Sequence, residues 1–113
     1  MALHDFQDDA GGADDHGSVY RGHRVVDEHR RPVGKISDVI FGDDGVARWA
    51  VVDPGLFRSE HYVPLDESYI SLDQELVVPY DKRTVTKSPR AEPDHVMSSA
   101  AERVVADYYK LAS

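Results

Sequence analysis

Cysteine is absent, so the chain has no disulfide, no thiol nucleophile and no cysteine-ligated zinc, and it suits a reducing compartment. Positive charge is scarce. With 13 Lys and Arg against 21 Asp and Glu, the net charge of −8 argues against binding nucleic acid or anionic lipid, which both draw on a positive field. No apolar run approaches the ~20 residues of a membrane-spanning helix, and the first residues lack the basic and apolar regions of a signal peptide. A soluble, cytoplasmic protein without a transmembrane segment is expected. Glycine-rich phosphate loops, a nucleophile elbow and a dinucleotide fingerprint are missing too, so no catalytic residue and no cofactor is expected.

What is present suffices for one domain with a modest core, since the chain has 113 residues of which 41% are apolar. The first eighteen residues stand apart. They carry Asp5, Asp8, Asp9, Asp14 and Asp15 with no Lys or Arg, leaving 16 acidic against 13 basic residues in the remainder. Poor in β-branched and aromatic residues, residues 1–18 are expected to be a disordered acidic tail. Asp8, Asp9, Asp14, Asp15 and His16 could hold a cation there, but their spacing matches no EF-hand loop.

The chain is organised around Val33 to Pro54, two β-rich runs joined by Asp43-Asp44-Gly45, which supplies the positive φ a hairpin reversal needs. Along the first run the apolar alternation slips near Ser37-Asp38, which predicts a β-bulge or burial on both faces. The second run, Val46 to Val52, is apolar at both parities and is expected to be the most buried strand. Before the hairpin, Val19 to Asp27 is a short strand candidate whose reversal is constrained by Pro32. After it come a strand over His61 to Leu65 and a hairpin of Tyr69 to Leu72 with Leu76 to Val78. Pro64 and Pro79 sit in two similar segments and should lie at strand ends, edges or bulges, because proline cannot donate to a ladder.

Thr84-Val85-Thr86 reads as a short extended piece, and the prolines between Ser88 and Pro93 as a linker. A helix is predicted from Ser99 to about Lys110, with Ser99 and Glu102 as a capping box. Ala101, Val104, Val105, Tyr108 and Leu111 form its apolar face.

Candidate functional residues are few. Of six histidines, His4, His16, His23, His29, His61 and His95, none pairs at a metal-ligand spacing, although His23 and His61 with Glu60 could meet across strands in a fortuitous zinc site. Asp38 and Glu67 form no evident acid–base pair, and Asp38 is expected to bond backbone at the bulge. Arg21, Arg24, Arg30, Arg31 and Lys35 gather positive charge around the first reversal, either as a solvated rim or as a patch for an acidic partner or the chain's own tail. Leu56, Phe57 and Arg58 follow the Pro54-Gly55 turn, where a loop is normally polar. They either plug one end of the core or form a protein interface with Val105 and Tyr108 of the helix.

Laid out in order, Gly22, Val25-Val26-Asp27, Val33 to Asp38, Trp49-Ala50-Val51-Val52-Asp53, Val63-Pro64-Leu65 and Leu76 to Tyr80 resemble the PRC-barrel family over about Tyr20 to Pro89. That family includes the cytoplasmic barrel of the photosynthetic reaction centre H subunit and part of a ribosome maturation factor. The first turn departs from the usual pattern, with His29-Arg30-Arg31 where the family often has Asp-Gly. The resemblance implies a mainly β fold, a small, strongly bent antiparallel β-barrel, here with a C-terminal α-helix and the acidic tail. The expected layout is tail 1–18, barrel 19–90, linker 91–97 and helix 98–113. The resemblance implies a stand-alone barrel that binds other proteins, and with the apolar Leu56-Phe57 loop on so small a domain the expected function is a non-enzymatic, self-associating protein-interaction module, a homodimer with a protein partner of unknown identity. The alternatives are a membrane-associated assembly factor related to the H subunit, and a small-ligand or metal-binding protein.

Overall fold

Six strands and two helices account for the regular structure in the computed structural model, which describes residues 20–55 and 59–112. The strands are β1 (Arg24–Val26), β2 (Pro32–Phe41), β3 (Ala47–Asp53), β4 (His61–Pro64), β5 (Tyr69–Ile70) and β6 (Leu76–Val77), followed by α1 (Lys82–Thr86) and α2 (Ser99–Ala112). They form one curled half-barrel sheet in the order β4-β3-β2-β1-β6-β5 with a C-terminal helix, the mainly β class expected. All pairings are antiparallel except β1 with β6, which run parallel with Val25 opposite Leu76 and Val26 opposite Val77. The acidic tail expected over residues 1–18, and Leu56, Phe57 and Arg58, lie outside the described residues.

Turn chemistry sets the registers. At the β2–β3 reversal Gly45 adopts φ 80°, the Gly42 N–H donates to the Val46 carbonyl at 2.8 Å, and the Asp44 carboxylate accepts from the Val46 N–H at 3.0 Å. Between β1 and β2 the buried Asp27 carboxylate accepts from the N–H groups of His29 (2.8 Å) and Arg31 (2.9 Å), so Asp27 organises that turn together with Pro32. The anticipated bulge is present. Ile36 pairs with Val52 and Asp38 with Val51, leaving Ser37 as the extra residue. By resetting the alternation, it brings Ile36 and Val39, of opposite parity, into one cluster and Ile40 against the other.

The two apolar parities of β3 have a simple cause, which is that both faces are covered. Ala47, Ala50 and Val52 join Val25, Val33, Ile36, Val63, Leu76 and Val85 inside the curl. Trp49 and Val51 join Tyr62, Val105 and Tyr109 beneath α2 on the other face. Five of the seven β3 residues are buried. Pro64 closes β4, an edge strand, and Pro79 follows β6, where neither removes an interior ladder bond.

Three local expectations change. Thr84-Val85-Thr86 is helical rather than extended, because Asp81 caps α1 by accepting from the Thr84 N–H at 2.8 Å and the turn delivers Val85 to the core. The cap of α2 is Ser98, whose hydroxyl accepts from the Ala101 N–H at 3.1 Å, and Glu102 is engaged elsewhere than in a capping box. The apolar face of α2 is also rotated from the one anticipated. Val105 and Tyr109 are buried, whereas Val104 is 59% and Leu111 87% exposed.

Residues 88–98 form a strap along β4. His61 bridges to Arg90, the Ala91 N–H donates to the Glu60 carbonyl at 2.7 Å, and the Tyr62 hydroxyl accepts from the Glu92 N–H and donates to the Val96 carbonyl.

Candidate functional site

The outer face of the sheet and the docked helix enclose a groove of about 660 Å³. Its aromatic wall comes from three elements: Trp49 of β3, Tyr80 ahead of α1, and Tyr109 of α2. Tyr80 and Tyr109 are in tilted contact at 4.7 Å between ring centroids, and Tyr108 meets Tyr109 edge to face at 5.1 Å. The Trp49 indole N–H donates to the Glu102 carboxylate at 3.0 Å, and the Tyr108 hydroxyl donates to the Thr84 carbonyl at 2.6 Å. These bonds fix the angle at which α2 lies on the sheet. Charges of both signs line the groove, with Arg48, Arg103 and Lys110 against Asp66, Glu67 and Glu102.

Burial, ahead of the neighbouring carboxylates of Glu67 and Asp66, pushes the Tyr80 phenol above its ordinary range. Burial likewise holds the Tyr109 phenol well above its own, with neighbouring tyrosines adding to the shift. Neither ring ionises near neutrality, so the groove wall offers neutral aromatic surface. Its chemistry suits binding.

A second cluster sits where the strap crosses β2. His95 Nδ1 lies 3.1 Å from Asp38 Oδ2, and His95 Nε2 lies 2.7 Å from Glu60 Oε1. Arg21 adds a cation 3.6 Å from the other Asp38 oxygen. Asp38 also accepts from the Val39 N–H at 2.9 Å, the backbone bond expected of it at the bulge. Glu67 lines the groove, while Asp38 bonds within this cluster.

The candidate residues fall as follows. Val105 is 2% exposed beneath α2, covered by the chain's own sheet, and Tyr108 is half-buried with its hydroxyl on Thr84. Three members of the basic group meet carboxylates of the same chain. Arg21 faces Asp38, Arg24 lies 3.3 Å from Glu75, and Arg30 reaches Glu75 at 3.2 Å and Asp73 at 3.5 Å. The parallel β1–β6 pairing sets Glu75, at the end of the acidic β5–β6 turn, beside Arg24 at the start of β1, and Arg30 of the β1–β2 turn reaches the same carboxylate. Arg31 and Lys35 are exposed.

The two histidines considered for zinc have other surroundings. His61 is buried, its ring nitrogens facing the Ser88 carbonyl (3.0 Å) and the Ser59 hydroxyl (3.1 Å), and burial holds its pKa below the ordinary value. His23 stacks edge-on against Tyr20 at 5.8 Å. Among the described residues no group of three His, Asp or Glu side chains is placed to hold a metal, and no helix is long and apolar enough to cross a membrane.

Sequence reasoning missed the His95 cluster and the turn of Tyr109 into the core. Asp38, Glu60 and His95 are 57 and 35 residues apart in pairs, so no local spacing announces them. The inward turn of Tyr109 does have a sequence correlate, since Val105 and Tyr109 are an i, i+4 pair.

Comparison with known proteins agrees with the architecture. The family model described as PRC-barrel domain matches residues 16–88. No curated protein matches the chain. The family match stops at Ser88, so the strap and α2, which complete both the groove and the His95 cluster, lie beyond it.

Proposed function

Because the chain belongs to the PRC-barrel domain family, we propose that it is a non-catalytic protein-binding module whose first partner is a second copy of itself. The observation that carries this reading is the second apolar line on α2. Val104, Tyr108 and Leu111 follow i, i+4, i+7 spacing and so share one stripe, about a third of a turn from the inward pair Val105 and Tyr109. Val104 and Leu111 are largely exposed, and Tyr108 is half-buried between them. A contiguous apolar line on an otherwise charged helix marks a contact surface. Arg103, Asp107 and Lys110 flank it with both signs of charge, which suits a two-fold antiparallel pairing of α2 with its counterpart, because each acid then runs past the other copy's bases. The loop residues Leu56, Phe57 and Arg58 belong to the same proposed interface.

Light scattering over a dilution series tests the reading. The wild type is expected to be dimeric, and Leu111→Lys and Phe57→Ser to be folded monomers. A wild type that is monomeric at every concentration overturns self-association, and a Leu111→Lys protein that dimerises as well as wild type removes α2 from the interface.

The groove supports a second reading, small-ligand binding. Its volume of about 660 Å³ lies within the usual range for such sites, and its aromatic wall is typical of them.

A further inference from the structure

We infer that His95 is a pH-responsive latch that, when its ring is protonated, fastens the strap and through it α2 to the sheet, and that it loosens as the ring gives up its proton. The geometry requires the charged ring. Both imidazole nitrogens face carboxylate oxygens, Nδ1 toward Asp38 and Nε2 toward Glu60, and carboxylates can only accept. An imidazolium satisfies both with its two N–H groups. A neutral ring has one N–H, so one of the two contacts becomes a lone pair against an anion.

The latch is placed to matter. His95 adopts φ 60°, a left-handed backbone uncommon for a side-chain-bearing residue, and its ring is gripped from two elements that are far apart in sequence. Asp38 belongs to the bulge of β2, and Glu60 stands just before β4. Three residues beyond His95 is Ser98, the cap of α2, so the strap's grip sets where the helix begins. His95 stands between the Tyr62 hydroxyl contacts at Glu92 and Val96 and brings the one imidazole to that stretch of the strap.

The charged groups around the ring are Asp38, Glu60 and Arg21, the last lying against Asp38. Burial opposes the charged ring, but its hydrogen bonds to Glu60 and Asp38 and their charges outweigh burial and raise the pKa of His95 above 6.5. Burial also opposes ionisation of Glu60, and the Ser37 hydroxyl and His95 outweigh it, so its pKa is lowered. The two signs define a window. Stability from His95 is complete below its ordinary pKa and is lost as pH rises through the raised value. Stability from Glu60 is present above the ordinary carboxyl pKa and is lost as pH falls through the lowered one. The latch is closed at mildly acidic pH and opens as pH rises through the raised His95 value.

Hydrogen exchange read by mass spectrometry across mildly acidic to mildly alkaline pH, corrected for intrinsic rates, tests this in the full chain. Opening of residues 92–112, which excludes the stretch held by His61, should increase with pH relative to β2 and β3, by about tenfold for each unit by which His95 stands above its ordinary pKa. In His95→Gln the same segment should be open throughout and should lose the rise of opening with pH. Should that variant fail to fold, the NMR titration of His95 in the wild type and in Glu60→Gln decides. A wild-type midpoint above 6.5 that falls in the variant supports the latch. A wild-type midpoint at or below 6.5, a strap whose exchange ignores pH, or an unchanged pH response in a folded His95→Gln protein overturns it.

Discussion

At Gly34 the missing side chain lets β2 pass close to the end of β3. A Cβ built there would lie inside van der Waals contact of the Asp53 carbonyl and 2.9 Å from the Pro54 Cα, all of it backbone that cannot swing aside. Gly34→Ala should therefore destabilise the protein by roughly 1–3 kcal/mol, the usual cost of overpacking, as measured by urea denaturation. An unchanged midpoint would show that the Asp53–Pro54 backbone yields freely. Trp49 offers a second test at this scale, because it is the only tryptophan and its indole N–H has Glu102 as acceptor. Glu102→Ala removes that acceptor at a half-wet site. It should cost about 1 kcal/mol and shift the tryptophan emission, and no change in either would mean that solvent replaces the carboxylate without loss.

Within α2, the two apolar edges divide the work. Val105→Ala opens space against Trp49 and Tyr62 and should cost about 1–3 kcal/mol, while Val104→Ala, on the exposed line, should stay within about 0.5 kcal/mol in the isolated monomer. Thermal unfolding at low protein concentration separates them, and equal losses would refute the assigned orientation. The existence of this helix was legible from its period, but its rotation was not, since Val104 and Val105 are equally apolar and only the positions of Trp49 and Tyr62 choose between them. The same limit applied to α1, where Thr-Val-Thr favours extended backbone and the Asp81 cap with a buried Val85 overrides that preference. Strand content, the β2 bulge and the double-faced burial of β3 were readable because each leaves a mark within about ten residues of sequence. The His95 cluster leaves none, being assembled by the path of the strap.

Across the whole molecule, the charge balance follows from the topology. Arg24 and Arg30 share Glu75 only because β6 lies beside β1, so much of the apparent basic patch is matched internally by exposed pairs worth little each. That same parallel pairing also governs the order of assembly in time. β1, β2, β3 and β4 are joined by short connections and can pair early, whereas the β1–β6 pairing must wait for a strand about fifty residues later and bears the entropy of closing that loop. Leu76→Ala should accordingly speed unfolding and leave the folding rate nearly unchanged, while Val52→Ala at the β2–β3 pairing should slow folding. Stopped-flow chevrons distinguish the two, and a Leu76→Ala protein that folds as slowly as Val52→Ala would place the closure before the barrier instead. On a ribosome, β1 would remain unpaired on its β6 side until synthesis had passed Val77, the last moment at which this small sheet acquires its second half.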